Sequence, residues 1–470
     1  MKTPIFNLST MQISSKTLLA ILMSFTVHGL YAEKSAKTED DGKSSFRLHF
    51  SKARGDSVRH AMFERSRPQG NKEIPVPHFA IHTEDHKFAL TIGGQVNPIM
   101  GVDLGNDLYD KPGAGINFTV NRIPAPAVKG HRYDFFLNAL NADIDFQVVG
   151  LGGSDDQITG YIKFGTNGSD NGLQMKDAYV AWRGFTAGMK TSLFKDELAA
   201  QPPTIDPQGP GGKIDAGAYE LSYISPCYKG FKAALGIAIP TYYHSSGRYY
   251  GPDYSNWMND DLDGDMVADP SAYSQNIPDI PMWVEWAASK YNRIRVSGII
   301  RNFVYKDEIQ EKKRHAVGWG VMLSGNWNPV NPLIFYFQGV YGKGIGNYIS
   351  GLSGLPLSFT PDNDNPGTMC ANPMMGLNVG ATYNFNKRWQ ANTMIGLARI
   401  WNVGPYAVEN ATGDNYYNDY RHGFYFAVNG FYNITSYLQV GLEYLYGRRG
   451  TWDSGTGTDN RLLTQFMLTF

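Results

Sequence analysis

The feature that most constrains the fold is a regular series of strand-like segments that begins at Phe88 and continues to Phe470. Very short turns and long polar loops alternate between the segments. Transmembrane β-barrels have short turns at one end and long loops at the other, whereas soluble β-sandwiches have no such bias. Residues 88–470 therefore favour a closed antiparallel barrel over the competing interpretation, a soluble sandwich.

About sixteen segments can be counted, an even number, as closed single-chain bacterial barrels require. In pairs, they are Phe88–Gly105 and Tyr133–Gly150, Ile158–Thr166 and Leu173–Arg183, Phe185–Phe194 and Ala216–Ser225, and Phe231–His244 and Met282–Tyr291. The remaining pairs are Ile294–Tyr305 and Ala316–Trp327, Leu333–Gly342 and Met374–Phe385, Trp389–Val403 and Gly423–Ile434, and Tyr437–Gly447 and Arg461–Phe470. The expected fold class is an all-β transmembrane antiparallel β-barrel.

The polarity of the segments alternates with a period of two residues, which gives each strand one apolar and one polar face. In the second segment, the face expected toward lipid comprises Ala142, Ile144, Phe146 and Val148, and the face expected toward water comprises Asn141, Asp143, Asp145 and Gln147. Such alternation explains why a membrane protein can have a mean hydropathy of -0.33. Beyond residue 35, no apolar run reaches the length of about 18 residues that a membrane helix needs.

Both ends of the chain carry features of an exported barrel. Lys2 and Lys16 precede an apolar run at residues 17–27, and small residues follow, so residues 1–32 are predicted to be a secretory signal peptide. Its removal would change the formal charge from -1 to -3 by loss of the two lysines, too close to neutral to indicate a nucleic-acid partner. The last strand ends in an aromatic residue after alternating apolar ones, which resembles the signal that the barrel assembly machinery recognises.

Residues 33–87 have no strand rhythm and are expected to form a basic periplasmic N-terminal segment. Residues 43–72 contain eight Lys and Arg residues but only two acidic residues, Asp56 and Glu64. The segment is either a flexible leader or a basic arm that docks on the inner mouth of the barrel or on anionic lipid.

The chain has only two cysteines, Cys227 and Cys370. The strand order places Cys227 in a short periplasmic turn and Cys370 in an external loop, on opposite sides of the membrane. A disulfide between them is excluded by that distance, so two free thiols are expected.

Residues 158–212 contain several local motifs: Ile158–Phe164, then Asp177-Ala178-Tyr179, then Gly188–Phe194, and finally Pro203–Gly211. Together they resemble the DcaP-like porins, and the barrel pattern extends the resemblance over residues 88–470. The resemblance implies a homotrimeric, sixteen-stranded porin that passes small and often anionic solutes. Such a barrel is expected in the bacterial outer membrane, in contact with the lipid bilayer and lipopolysaccharide. The chain departs from the family pattern at Lys176-Asp177, where a basic pair is usual, and at Lys190, where Gln is usual.

The alternation places a set of basic side chains on the water-facing side of several strands: Lys163, Arg183, Lys190, Arg293, Arg295, Arg301, Arg421 and Arg461. Rings of Arg and Lys attract anions in pores, so these residues are predicted to line the channel and to favour small anionic solutes. Carboxylates occupy water-facing positions as well, namely Asp143, Asp145, Asp177, Glu220, Glu285 and Glu443. Pairing between the two sets, without ion selectivity, is the alternative.

The third external loop, residues 195–215, is rich in Pro and Gly. In general porins the third loop folds inward and narrows the channel, so the resemblance implies the same for this loop. Its prolines would hold one shape without strand partners. Its charged residues are Lys195, Asp196, Glu197, Asp206, Lys213 and Asp215. An ordinary outward surface loop is the alternative.

The fourth external loop carries carboxylates at alternate positions around Gly264, which can converge on one hard cation such as calcium. The candidate ligands are Asp261, Asp263, Asp265 and Asp269. The bidentate Glu of an EF-hand is missing, so a solvated acidic loop is the alternative. No other cofactor is expected.

No combination of Ser, His, Asp or paired acids has the spacing of an enzyme active site. A lipid-hydrolysing barrel would need a His and a Ser together on the lipid face, and neither His315 nor His422 has an obvious partner. The predicted function is passive diffusion of small hydrophilic solutes through a water-filled channel. The alternative is an adhesive or structural barrel that binds ligands through the loops at residues 245–281 and 343–373.

Overall fold

The structure, a computed structural model, describes residues 47–50, 79–83, 87–105, 117–126, 134–139, 141–152, 154–166, 172–241, 273–274, 278–307, 312–355, 357–361, 368–409, 411 and 419–470. All of them belong to one compact unit, Arg47–Phe470. Within these ranges, no helix has both the length and the apolar character needed to cross a membrane.

Strands make up nearly all of the regular structure. The first eight are β1 (Arg47–Phe50), β2 (Phe79–His82), β3 (Phe88–Val96), β4 (Ile99–Asp103), β5 (Asp134–Asn138), β6 (Ala142–Gly150), β7 (Ile158–Gly165) and β8 (Gln174–Trp182). The next eight are β9 (Phe185–Thr191), β10 (Gly217–Ile224), β11 (Phe231–Thr241), β12 (Tyr273–Ser274), β13 (Ile280–Ser289), β14 (Asn292–Asp307), β15 (Lys312–Val330) and β16 (Leu333–Lys343). The last are β17 (Phe359–Pro361), β18 (Met369–Ala371), β19 (Pro373–Asn384), β20 (Trp389–Ile400), β21 (Tyr420–Asn433), β22 (Leu438–Thr451) and β23 (Thr456–Thr469). A short helix α1 spans Gly404–Glu409, and 3-10 turns span Val120–Arg122 and Gly346–Tyr348.

The strands close into an antiparallel barrel of sixteen wall strands, which confirms the predicted fold class. β3 and β4 together form the first wall strand, interrupted at Asn97-Pro98, and β5 and β6 together form the second. The barrel closes where β23 pairs with β4, from Arg461 against Asp103 to Gln465 against Ile99, and with the end of β3. Every wall strand pairs with its neighbour in sequence, so the topology is a simple meander.

Two short strands, β1 and β2, lie within residues 33–87, where the sequence shows no strand rhythm. β2 pairs with β3, Phe79 opposite Ile92 and His82 opposite Ala89, and β1 pairs with β2. β23 pairs only with the end of β3, where the backbone of Phe470 bonds that of Gly94, and leaves the rest of this edge of β3 uncovered. The short apolar run Phe79-Ala80-Ile81 takes up those unpaired backbone groups, as an open sheet edge favours.

The predicted two faces of the wall strands are confirmed. Val379 is 49% exposed on the outside of the barrel, while its neighbour Asn378 faces inward and is buried. The apolar residues of the last strand, Leu462, Phe466, Leu468 and Phe470, are all exposed on the outer face. An apolar outer face with every backbone group paired in a closed sheet is the only way for strands to cross a bilayer.

Both cysteines are free, as predicted. Cys227 is exposed in the short turn between β10 and β11, and Cys370 lies in β18, within the loop between β16 and β19. Short turns and long loops therefore lie at opposite ends of the barrel.

Candidate channel and its constricting loop

The loop between β9 and β10, residues 192–216, folds into the barrel and crosses its interior, which confirms the predicted inward fold. The backbone N–H of Ile214 donates to Gln338 Oε1 on β16 at 2.8 Å, and that of Ile205 donates to Glu443 Oε2 on β22 at 3.0 Å. Gly212 lies flat on the wall, where a Cβ atom would meet the backbone of Leu377 and Leu397. We call this segment the constriction loop.

The prolines of the constriction loop fit against glycines of the wall. A Cβ atom on Gly380 would lie 2.7 Å from Pro202 Cδ, and one on Gly396 would lie 2.5 Å from Pro210 Cβ. The rigid loop therefore approaches the β19 and β20 backbone more closely than any side chain on those two positions would allow.

Asp196 anchors the first part of the constriction loop to strands β14 and β15. Its carboxylate accepts hydrogen bonds from Arg293 Nη1 at 2.9 Å and Ser324 Oγ at 2.6 Å, and Arg295 Nε lies 3.8 Å away. Burial alone raises the pKa of Asp196, but the two guanidinium groups and the hydrogen bonds outweigh it and lower this pKa to about 2. Asp196 is therefore ionised at all physiological pH values.

Asp206 anchors the middle of the loop by a different set of donors. Its carboxylate accepts the backbone N–H groups of Phe118, Gln208 and Gly209 and the hydroxyl of Tyr425, each at 3.0–3.1 Å. Burial raises the pKa of Asp206, and these hydrogen bonds oppose the rise. The carboxylate thus joins three loop amides to strand β21.

The two ends of the loop meet in a cluster of charges beside β8 and β9. Lys195 Nζ lies 2.7 Å from Asp215 Oδ1, and Lys213 Nζ lies 3.0 Å from Asp215 Oδ2. Burial raises the pKa of Asp215, but the two ammonium groups outweigh burial and lower it. Glu197 accepts the hydroxyl of Thr191 at 2.8 Å. Lys195, Glu197 and Asp215 remain partly exposed.

The interior surface of β14–β22 is covered by the constriction loop together with two other loop segments, residues 117–126 and 344–355. Two apolar clusters fill the space between wall and loops. One includes Phe194, Ile214, Ile345, Tyr348 and Ile349, and the other includes Phe118, Ile123, Ile205 and Tyr425. We call β14–β22 the packed side of the barrel.

The interior surface of β6, β7 and β8 is different, because its charged side chains remain partly exposed. Lys163 on β7 lies 3.2 Å from Asp143 Oδ2 on β6, and the lysine side chain is 28% exposed. Lys176 and Asp177 on β8 are also partly exposed and face the same space as Glu197 of the constriction loop. We call this polar surface the open wall.

Most of the basic residues predicted to line the channel do face the interior, but they are buried and paired. Arg295 is 1% exposed and binds Glu285, whose carboxylate Arg293 shares, and Arg301 is 0% exposed and lies 3.0 Å from Asp279 Oδ2. The remaining buried pairs are Lys190 with Glu220 and Arg461 with Asp103. For these residues the structure favours the paired-charge alternative, because each is buried against a carboxylate.

Arg421 and Lys163 are the exceptions. Arg421 is half-buried on β21, with its guanidinium 5.1 Å from the ring of Trp452. Lys163 belongs to the open wall. Of the predicted residues that face the interior, these two are partly exposed.

The prediction that Arg183 lies on a wall strand is wrong. Arg183 and Gly184 form the two-residue turn between β8 and β9, both with positive φ. Such turns match the twist of a two-stranded hairpin, which is why the strand ends one residue earlier. The exposed side chain of Arg183 pairs with Asp156 at 2.6 Å, at the short-turn end of the barrel.

The predicted calcium ligands Asp261, Asp263, Asp265 and Asp269 lie outside the described residues. Within the described part of the chain, no group of three or more His, Cys, Asp or Glu side chains is arranged to hold a metal ion. The loop at residues 343–373, assigned above to the outer surface, instead packs inward at Ile345, Tyr348 and Ile349.

Sequence reasoning missed Asp279 as a functional partner. Its carboxylate accepts Arg301 Nε and the hydroxyl of Tyr348 at 2.7 Å, and so joins β14 to the inward loop after β16. No local motif marks Asp279, because its two partners are distant in sequence. The only sequence signal is that this acidic residue directly precedes β13, which pairs with β14, the strand that carries Arg301.

Comparison with protein-family models gives no match, and comparison with curated proteins gives none either. Among solved structures, the outer-membrane channel DcaP of Acinetobacter baumannii is similar, with a TM-score of 0.62, 17% identity, and coverage of 83% of this chain and 99% of that one. The anion-selective porin from Comamonas acidovorans has a TM-score of 0.49 and 8% identity, over 82% of this chain and 100% of that one. The chain therefore has the fold of the DcaP channel, a barrel of the bacterial outer membrane.

Proposed function

We propose that the protein is an outer-membrane porin that lets small hydrophilic solutes diffuse through a water-filled path. The observation that carries this proposal is the open wall. Lys163, Lys176 and Asp177 remain partly exposed inside a closed barrel, facing a loop whose own charges are partly exposed. A dry, filled barrel would have to pair and bury such groups, since an exposed charge needs water.

The path that we propose runs between the open wall and the constriction loop, and solutes meet both signs of charge there. Lys163, Lys176 and Lys195 face Asp143, Asp177, Glu197 and Asp215. The anion preference expected from Arg295 and Arg301 is not part of this proposal, because both arginines are buried against carboxylates. We infer a weak ion preference and a path suited to polar or zwitterionic solutes.

We also propose a homotrimer, an assembly that rests on the resemblance of residues 158–212 to the DcaP-like porins. Chemical crosslinking of the protein in membranes tests it. A crosslinked ladder that stops at three chains supports the trimer, and a protein that stays monomeric in membranes and in mild detergent contradicts it.

Planar-bilayer recording tests the channel itself. The purified protein should insert in discrete conductance steps, and liposomes that contain it should swell in neutral sugars small enough to pass. A barrel that inserts without conductance would contradict the porin function and favour the adhesive or structural alternative.

A further inference from the structure

Three basic side chains form a row on the outer face of the barrel. Arg399 on β20 and His422 on β21 are direct cross-strand partners. Arg448 lies on β22, two residues from Gly450, which is the partner of His422. All three face outward, because their neighbours Ala398 and Arg449 are buried on the inner face. Residues on adjacent strands in such positions have side chains within reach of one another.

The row lies at the upper edge of the apolar belt. Leu397 and Phe424 are the next outward residues below Arg399 and His422, and Arg448 is the cross-strand partner of Phe424. The strand β20 begins at Trp389 beside a short turn. From Trp389 to Leu397 the strand rises about 26 Å along its length, or about 20 Å along the barrel axis after tilt. An apolar belt is about 25 Å tall, so the three basic side chains lie at the level of the headgroups of the outer leaflet.

Within the described residues, these side chains have no carboxylate partner. None of the three forms an ion pair, and Arg399 Nε is buried without a hydrogen-bond partner. The guanidinium of Arg399 lies 4.9 Å from the ring of Trp401, which holds it beside the strand. Arg449, one residue from Arg448 but facing inward, is instead paired with Asp419.

The row also brings the like charges of Arg399 and Arg448 close to one another, with the His422 ring between them. His422 lies within electrostatic range of Arg399, Arg421 and Arg448. A Cβ atom on Gly450 would collide with the His422 ring, so glycine at that position lets the ring lie across β22. The outward positions of β19–β23 carry no acidic residue to balance these charges. An anion from outside the chain would therefore relieve the repulsion.

We propose that Arg399, His422 and Arg448 bind a phosphate group on the headgroup of an outer-leaflet lipid. Guanidinium groups bind phosphate oxygens in bidentate fashion, and the row lies where a membrane presents phosphate. Each basic side chain near a membrane surface adds to the attraction of anionic lipid. This proposal rests on the outer-membrane location of the barrel and does not require that the barrel conduct.

Binding of diphosphorylated lipid A to lipid-depleted protein in detergent, followed by native mass spectrometry, tests the site. The double variant Arg399→Gln/Arg448→Gln should lose about 30-fold in affinity. The matched control is Arg388→Gln, which removes an exposed arginine at the opposite, short-turn end of β20, where its guanidinium lies 3.4 Å from the hydroxyl of Tyr432. The control should bind like the wild type. Arg448→Gln alone, at an exposed position, gives a second test if the double variant does not fold.

Two further probes identify the ligand. Lipid A without phosphates should bind far more weakly than the diphosphorylated form, and millimolar inorganic phosphate should not displace the lipid. The proposal is overturned if the double variant binds as tightly as the wild type, if dephosphorylated lipid A binds equally well, or if inorganic phosphate displaces the lipid completely.

Discussion

The packed side and the open wall of the barrel are built from the same alternation of polar and apolar residues, yet the inward polar residues are buried on one side and partly exposed on the other. On β14–β22, polar inward residues such as Gln338 and Glu443 bind the backbone of the constriction loop and are buried. On β6–β8, none of the loops that the structure describes buries Lys163 and Asp177, which stay partly exposed. The strands decide which residues face inward, and the loops decide which of those residues meet water.

The two sides also show that an arginine that faces the interior of the barrel need not line the channel. Arg293 and Arg295 hold Asp196 of the constriction loop, and Arg301 holds Asp279. These guanidinium groups act as anchors that position loops. In contrast, the charges of the open wall lie beside the proposed path and can act on a solute. Charges farther than about 10 Å from the solute are largely screened by salt.

The largest expected effect comes from removing the Asp196 anchor. Asp196→Ala leaves Arg293 and Arg295 buried with only Glu285 as a carboxylate partner. Breaking a buried charge pair in this way costs about 3 kcal/mol, so the free energy of unfolding should fall by about that amount. Denaturant titration of the refolded protein measures the change.

If the anchor holds the constriction loop, the same variant should also show a larger and noisier conductance. Glu197→Ala is the matched control, because Glu197 neighbours Asp196 but is partly exposed and bonds only Thr191. A wild-type stability and conductance of Asp196→Ala would contradict the anchoring role.

The low pKa of Asp196 predicts the pH range of this anchor. Because the pKa falls from 3.8 to about 2 on folding, its stabilisation is fully present above pH 3.8 and is lost as the pH falls through about 2. The stability difference between the wild type and Asp196→Asn should therefore be constant from pH 7 to pH 5 and shrink below pH 4. A difference that disappears near pH 6 would mean that the carboxylate is not held by the two arginines.

A moderate effect is expected on the open wall. Lys163→Glu reverses one charge beside Asp143, so the reversal potential in a salt gradient should move toward cation preference. Lys229→Glu, in the short turn before β11 and outside the path, makes the same change in net charge and should leave the reversal potential unchanged. Equal shifts in the two variants would show that net charge, rather than the open wall, sets the preference.

The smallest effect is expected at Arg183, which pairs with Asp156 in the solvent. Exposed pairs contribute about 1 kcal/mol or less, so Arg183→Gln should change the free energy of unfolding by less than that. Its ion selectivity should equal that of the wild type. A selectivity change as large as that of Lys163→Glu would place Arg183 in the path after all.

The sequence alone predicts the wall of this barrel well, because period-two polarity and turn lengths are local properties. The inward fold of the constriction loop follows from the resemblance to porins, whose third loop folds inward. The contact of Asp279 with Tyr348 is not predictable from the sequence, since it depends on a distant loop that folds into the closed barrel. The position of β2 is not predictable from the sequence either, because it depends on where β23 ends beside Gly94.

The most direct test of the account is the accessibility of cysteines placed on the two sides. In a Cys227→Ser/Cys370→Ser background, Lys163→Cys lies on the open wall and Asn378→Cys lies under the constriction loop. A small water-soluble thiol reagent added during bilayer recording should lower the conductance of Lys163→Cys channels and leave Asn378→Cys channels unchanged. Block at Asn378→Cys with no effect at Lys163→Cys would place the water path on the packed side and contradict the account.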